Sequence, residues 1–290
     1  MLKISKISFP GLGIEEFSID SVAFSIGNID IAWYALIITF GMILAVIHLI
    51  YRAKQVGISV DTIIDYVLIT IPVGILGARL YYVIFSSSSF DTFWDVINIR
   101  EGGLAIYGGI LAGAISVFVI SKVKKIPFLT LADTCTPGIL LAQGIGRWGN
   151  FTNGEAFGGE TDIFCRMGLT NSNTGFFTEF VHPTFLYESL WNILGFIIAN
   201  LFHKKRQFDG QVFLFIFGWY GLGRAFIEGL RVDSLYVSIF GIDFRTSQLL
   251  AILILTCCII AMAYMEYQII FKKREFKLYY HIEKKSVKEN

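Results

Sequence analysis

Apolar residues in this chain fill whole stretches instead of marking one face of a helix or one side of a strand. Seven such stretches run roughly 32–51, 63–85, 104–121, 131–150, 183–202, 211–229 and 247–271. Each is long enough to cross about 30 Å of hydrocarbon as a helix rising 1.5 Å per residue. A helix that is apolar all round is either buried or faces lipid. The pattern therefore predicts an all-α, polytopic membrane protein with about seven transmembrane helices. It predicts one integral membrane domain over 1–290, with no internal repeat and no low-complexity tract apart from Ser86–Ser89.

Composition agrees. Hydrophobic residues make up 54% of the chain and charged residues 16%, with 27 Phe and 13 Tyr, against a soluble norm of about 25% charged. Mean hydropathy is +0.63. A formal net charge of +1 gives no electrostatic footprint for nucleic acid, and no such partner is expected. The start, MLKISKISFPGLG, has two Lys but no apolar run, so no cleavable signal is expected. Cys135, Cys257 and Cys258 lie in apolar stretches and Cys165 in a polar loop, which offers neither a disulfide framework nor a CxxC spacing for zinc.

Charge sorts the connections. Those after the first, third and fifth stretches carry Arg52 and Lys54, then Lys122, Lys124 and Lys125, then Lys204, Lys205 and Arg206. A basic tail, about 272–290, adds Lys272, Lys273, Arg274 and Lys277. The alternate connections carry Arg100; Arg166; and Arg231 with Arg245. The positive-inside rule then predicts an outer N-terminus and a cytoplasmic C-terminus, as an odd number of spans requires.

That orientation gives each span an outer end. Tyr34 opens the first span there, Arg79 lies in the outer third of the second, and Tyr107 is near the outer start of the third. Arg147, Asn150, Asn153 and Glu155 close the fourth; His182, Tyr187 and Glu188 begin the fifth; Tyr220, Arg224, Glu228 and Arg231 close the sixth. A single Arg near a helix end is ordinarily a snorkel or half of an ion pair, and for Arg79 taken alone that structural reading is preferred. Polar groups from six spans on one leaflet are better explained as a site. Arg147 and Arg224, flanked by small residues and by Asn, Tyr and Glu, form the inventory of an anion site. Arg224, Glu228 and Arg231 follow i, i+4, i+7 and are expected on one helix face. Asp65 and Asp133, at inner ends, are read as structural, and His48, His203 and His281 as uninvolved.

GIGRWGNFTNGEAFGG, 144–159, contains G-x-G-x-x-G, but no strand precedes it and turn chemistry follows. A dinucleotide loop is therefore rejected. The glycines are expected to allow close helix packing and a backbone break at the membrane edge. From about 151 to 182, with Gly158, Gly159, Gly168, Gly175, Asn171 and Asn173, a small extracytoplasmic cap is expected between the fourth and fifth helices. An outward-facing arginine site with apolar walls suits a lipid phosphate. No HExxH, His/Cys cluster or GxSxG is present, so neither metal nor cofactor is expected. A photoreceptor is excluded because 247–271 has no Lys for a Schiff base. A lipid transporter remains as a rival, although the paired half-structures expected of one are not seen.

The motif GRWGNFTNGEAFG (146–158) resembles the signature of bacterial prolipoprotein diacylglyceryl transferases, written G-R-x-G-N-F-x-N-x-E-x-x-G. WYAL (33–36), GARLYYV (77–83), HPTFLYE (182–188) and GLGRAFIEGLR (221–231) match that family's pattern in order. The resemblance implies transfer of the diacylglyceryl group of phosphatidylglycerol to the lipobox cysteine of a preprolipoprotein, with release of glycerol-1-phosphate. It implies a multi-pass protein of the bacterial cell membrane, working in membrane lipid with its site facing the outer leaflet. The functional residues it implies are Tyr34, Arg147, Asn150, Asn153, Glu155, Tyr220, Arg224, Glu228 and Arg231, with Glu188, His182 and Arg79 as further candidates. At one position the chain departs from the pattern. The family's G-G-x-x-x-H-G-G reads GGLAIYGG here, so Tyr107 stands where a candidate basic histidine is usual. Either Tyr107 takes the thiol proton or another group, such as His182, does so.

Overall fold

The computed structural model describes residues 4–27, 29–86, 90, 92–99, 102–171, 177–239 and 241–279. Asn173, Gly175, Arg100 and His281 lie outside the described residues. The chain is mostly helical, and seven of its helices are long and apolar enough to cross a membrane. They are α1 (Trp33–Gln55), α2 (Val60–Phe85), α4 (Ile106–Lys124), α5 (Phe128–Asn153), α6 (Thr184–Phe202), α7 (Gln211–Ile227) and α8 (Thr246–Ile270), with a short α3 at Phe93–Ile97. Each corresponds to one predicted span. Several are longer than the apolar run alone, because polar turns such as Thr130–Thr134 continue the helix below the hydrophobic stretch.

The predicted all-α architecture holds for the spans, but eight short strands accompany them among the described residues. β1 (Ile4–Phe9) and β2 (Ile14–Asp20) join β5 (Met167–Asn171) and β6 (Phe177–Val181) in an antiparallel sheet of order β2-β1-β5-β6. Ser5 pairs with Asn171 and Ser8 with Gly168. β3 (Val22–Ile26) with β4 (Ile29–Ala32), and β7 (Tyr236–Ile239) with β8 (Ile242–Arg245), form two hairpins. The expected cap of 151–182 is thereby corrected in two ways. Its first residues still belong to α5, and its sheet is completed by the N-terminal strands. Ile7, Phe9, Met167, Leu169, Val181 and Phe185 bury the shared core.

The chain separates into two compact units. The first comprises residues 1–48 and 135–276, and the second 49–134 and 277–290. In the second, α2 and α4 pack through facing glycines. A Cβ on Gly108 would come within 2.3 Å of the Gly77 carbonyl oxygen, so neither position takes a side chain without parting the helices. Ala53, Ile63, Tyr66, Ile120 and Leu131 form the core of this unit. Asp65 pairs with Lys124 at 2.5 Å between half-exposed side chains, which supports its structural reading.

In the first unit, α6 and α7 are joined by a reciprocal tryptophan pair. The rings of Trp191 and Trp219 stack at 4.2 Å, and each indole N–H donates to the other residue's carbonyl at 2.9 Å. Gly195 and Gly223 make room for them, since a Cβ at either would lie within 2.4 Å of an indole. At the other side of α7, an added Cβ on Gly221 would meet the Ala251 carbonyl at 2.8 Å, so α8 lies close.

Candidate functional site

Helix α5 brings the signature motif to the site. The expected backbone break does not occur within the glycines: α5 runs unbroken through Gly144, Gly146 and Gly149 to Asn153. It ends at Gly154, whose φ of +61° is the left-handed conformation that closes helices. The glycines serve packing instead, as Gly149 shows: a Cβ there would come 2.7 Å from the Tyr34 ring. Because the helix is unbroken, Arg147 and Asn150 are i and i+3 on one face, with the Arg147 Nη1 donating to the Asn150 Oδ1 at 3.4 Å. The Asn150 and Asn153 amides both donate to Glu155 Oε1, at 3.0 and 3.2 Å. Glu155 therefore reaches Arg147 through Asn150 instead of pairing with an arginine directly.

The loop that follows fixes the other elements. The Gly158 N–H donates to the His182 carbonyl at 2.9 Å, the His182 N–H to Gly159 at 3.0 Å, and the Gly159 N–H to Leu230 at 2.9 Å. The Thr184 hydroxyl donates to the Ala156 carbonyl. The start of α6 and the end of α7 are thus stitched to one turn of chain. Gly158 is at the crossing, where a Cβ would lie 2.6 Å from His182 and 2.9 Å from the Leu230 carbonyl. The Trp148 indole donates to Ser189 at 3.1 Å, and Phe151 stacks on Phe185 at 4.7 Å, which sets α5 against α6.

These constraints converge on Glu188. One carboxylate oxygen is 2.6 Å from Arg147 Nη2; the other is 3.1 Å from Arg224 Nη1 and 3.5 Å from Arg231 Nη1. Arg224 also pairs with Glu228 at 2.6 Å. Arg231 holds Asp233 in a two-pronged pair at 2.9 and 2.7 Å. The Glu188 and Glu228 side chains are only 6% and 2% exposed, so these two carboxylates are shielded from water, whereas Asp233 at the rim is 49% exposed. The expected common helix face of Arg224, Glu228 and Arg231 needs correction. Helix α7 stops at Ile227, a 3-10 turn spans Glu228–Leu230, and Arg231 is extended. Glu188, and not helical spacing, brings the two arginines together. Arg245 and Gln248 secure the turn by donating to the carbonyls of Glu228 and Ala225, at 2.5 and 2.8 Å.

Three groups titrate away from their ordinary values outside the spans. Burial alone would lower the Arg231 pKa, but its bond to Asp233 and the charges of Asp233, Glu188 and Glu228 raise it. The same hydrogen bond from Arg231 holds the Asp233 carboxyl below the usual range. Burial lowers His182, whose Nδ1 lies 3.2 Å from the Tyr187 hydroxyl. Tyr220 is partly buried on α7, one turn before Arg224.

Two candidates belong to the second unit. Arg79 is 8% exposed, and its guanidinium donates to four backbone carbonyls: Val96 at 2.7 Å, Asp95 at 2.5 Å, Gly102 at 3.0 Å and Gly103 at 2.9 Å. That occupation supports the structural reading of Arg79. Tyr107 is in the first turn of α4 and 43% exposed. Sequence reasoning missed Asp233 and the tryptophan pair. The R-V-D spacing after Arg231 was a usable signal for the first; nothing local marks the second. Among the described residues, no group of three or more His, Cys, Asp or Glu is placed to hold a metal ion.

The family model of prolipoprotein diacylglyceryl transferase matches residues 21–264. Three similar proteins carry the name phosphatidylglycerol–prolipoprotein diacylglyceryl transferase. The one from Clostridioides difficile is 42% identical over 85% of this chain and 95% of its own length. The Clostridium perfringens protein, numbered 1 in its name, is 44% identical over 80% and 89%. The Finegoldia magna protein is 43% identical over 87% and 98%. Every arginine and carboxylate of the ion cluster falls inside the matched range, and the chain belongs to the prolipoprotein diacylglyceryl transferase family.

Proposed function

We propose that this protein moves the diacylglyceryl group of phosphatidylglycerol onto the lipobox cysteine of a preprolipoprotein, in the first step of lipoprotein maturation. The acceptor sulfur, as thiolate, attacks the glyceryl carbon that bears the phosphate. A C–S bond forms as the C–O bond breaks, and its electron pair leaves on the phosphate oxygen of glycerol-1-phosphate. The observation that carries this reading is the trio of Arg147, Arg224 and Arg231 around one buried carboxylate. Fixed donors aimed at a developing phosphate charge, in a site that excludes water, are the largest single catalytic term available to such a displacement. Asn150, Asn153 and Glu155 orient the glycerol head group in this reading, and Tyr34 and Tyr220 line its seat.

The thiol, with an ordinary pKa near 8.5, needs a proton acceptor. Tyr107, in the position of the family's usual histidine, is one candidate. His182 is the other: burial keeps it neutral, and so able to accept, around pH 7. A positioned acid–base group is worth about 10²–10⁴-fold. Turnover of Tyr107→Phe and His182→Gln across pH 6–10 assigns the role. The variant that loses this factor, with a changed pH profile, names the acceptor. Tyr107→His, which restores the family's usual residue, retains much of the activity if position 107 is that acceptor.

The basic residues at the ends of α1, α4 and α6 support a cytoplasmic placement for those ends. The site then faces the outer leaflet of the bacterial cell membrane. Neither a metal, a cofactor nor nucleic acid enters this reading. Purified protein incubated with phosphatidylglycerol and a lipobox peptide tests it. Glycerol-1-phosphate is expected in stoichiometric amount with lipidated peptide. Lipid movement without that release would mark a transporter instead.

A further inference from the structure

Among the described residues, the direct ion pairs of the arginine cluster balance in charge. Arg147, Arg224 and Arg231 face Glu188, Glu228 and Asp233, three cations against three carboxylates. A lipid phosphate therefore does not enter a vacant cationic seat. It has to take guanidinium donors away from a carboxylate that already holds them. The three carboxylates are not equivalent. Asp233 is half exposed and touches Arg231 at the rim. Glu228 is fixed on the 3-10 turn and pairs with Arg224 one helical turn back. Only Glu188 is shared by all three arginines, with both oxygens engaged. It sits where an anion bridging the three guanidiniums would sit.

We infer that Glu188 is an exchangeable internal counter-ion that occupies the phosphate seat in the resting protein and returns to it to expel the phosphate product. The inference rests on the proposed transferase reaction and adds the step that closes its cycle. The entering phosphodiester is singly charged, whereas the leaving glycerol phosphate is a monoester carrying about −1.5 to −2 at pH 7. A trio of arginines in a water-poor site binds the more highly charged species more strongly. Without a competitor, the product would stay and release would limit turnover, as it does in many enzymes. Glu188 supplies that competitor from within the chain. Its neighbours on α6 are tied down by the Trp191–Trp219 pair and by the Trp148–Ser189 bond. Only its side chain has to leave and return. Glu188 is thus a positioning residue for the three arginines and does not itself touch the reacting carbon.

The test uses full-length protein in phosphatidylglycerol nanodiscs with a lipobox peptide, comparing wild type with Glu188→Gln. The glutamine keeps the shape but removes the competing charge. The steady state is expected to slow by at least about tenfold more than the first turnover does. Added glycerol-1-phosphate should inhibit the variant at a concentration lower by about tenfold or more. Three arginines left partly uncompensated lower the melting temperature, and glycerol-1-phosphate should restore it. Inhibition no stronger than in wild type, or a first turnover lost as fully as the steady state, overturns the inference. If the glutamine variant does not accumulate, Glu188→Asp is used: its shorter carboxylate draws back from the guanidiniums, and the same ordering is required. Wild-type protein that releases no glycerol phosphate would instead sink the transferase reading itself, so the two failures are distinguishable.

Discussion

Arg79 and the cluster of Arg147, Arg224 and Arg231 use the same side chain in opposite ways. Arg79, on α2, spends its guanidinium on four backbone carbonyls of the segment 95–103. Arg147, Arg224 and Arg231 spend theirs on carboxylate side chains. A carbonyl is fixed in the chain and neutral, so its bonds to Arg79 last as long as the fold does. A carboxylate sits on a rotatable side chain and carries the charge of a phosphate, so its bonds can be exchanged for those of a ligand. Arg79, Arg147 and Arg224 lie inside candidate membrane spans, where an arginine costs about 2.5–3.5 kcal/mol on insertion scales. What it pairs with, and not its depth or its neighbours in sequence, distinguishes Arg79 from the candidate site.

The strongest way to break this contrast is to change the fork while keeping the charge. Arg147→Lys and Arg224→Lys replace a planar, two-pronged donor with a point charge. Each is expected to reduce transferase turnover by roughly 10²-fold or more at matched expression. A lysine variant with full turnover would remove that arginine from the phosphate clamp. Arg79→Gln should behave in the opposite way. It strips charge-assisted bonds from four carbonyls, each worth about 1.5–3 kcal/mol, so stability should fall by about 3 kcal/mol or more in denaturant titration. The affinity of the folded fraction for glycerol-1-phosphate should be unchanged; a weaker affinity would place Arg79 with the other three.

A smaller effect is expected from the scaffold that aligns the cluster. In Gly223→Ala the new methyl lies 2.2 Å from the Trp191 indole nitrogen, so the stacked pair must part, at a cost of about 1–3 kcal/mol. Thermal melting should fall accordingly. Turnover should drop as well, because Glu188 and Arg224 lie on the two helices that the pair joins. A melt equal to wild type would show that the tryptophans do not set the helix spacing. The smallest effect concerns pH. Burial lowers the His182 pKa below its ordinary 6.5, so the unfolded chain binds this proton more readily than the native one. Stability from this group is therefore present above pH 6.5 and declines as the pH falls below it. Unfolding measured from pH 5 to 8 should show that slope, and His182→Gln should flatten it.

The sequence by itself determined the spans, because a run of about 20 apolar residues has few other solutions in water or lipid. It predicted that six stretches carry polar groups toward one end, because the charge of the loops suggests an orientation for every helix at once. It also singled out the residues of the signature motifs. It misjudged how α5 and α7 end, since Gly149 and Gly154 are the same letter while only Gly154 takes a positive φ. It gave no sign that Ile4–Asp20 would complete the cap, because strand partners 160 residues apart leave no local pattern. Its helical spacing grouped Arg224 with Arg231, but the tertiary structure unites them through a carboxylate on α6. Glu188 began as one candidate among many and became the centre only when α5, α6 and α7 were packed side by side. Ion pairing depends on distances of 3 Å, and such distances between separate helices are decided by tryptophans, glycines and loop hydrogen bonds whose sequence positions say nothing about which partner they will meet.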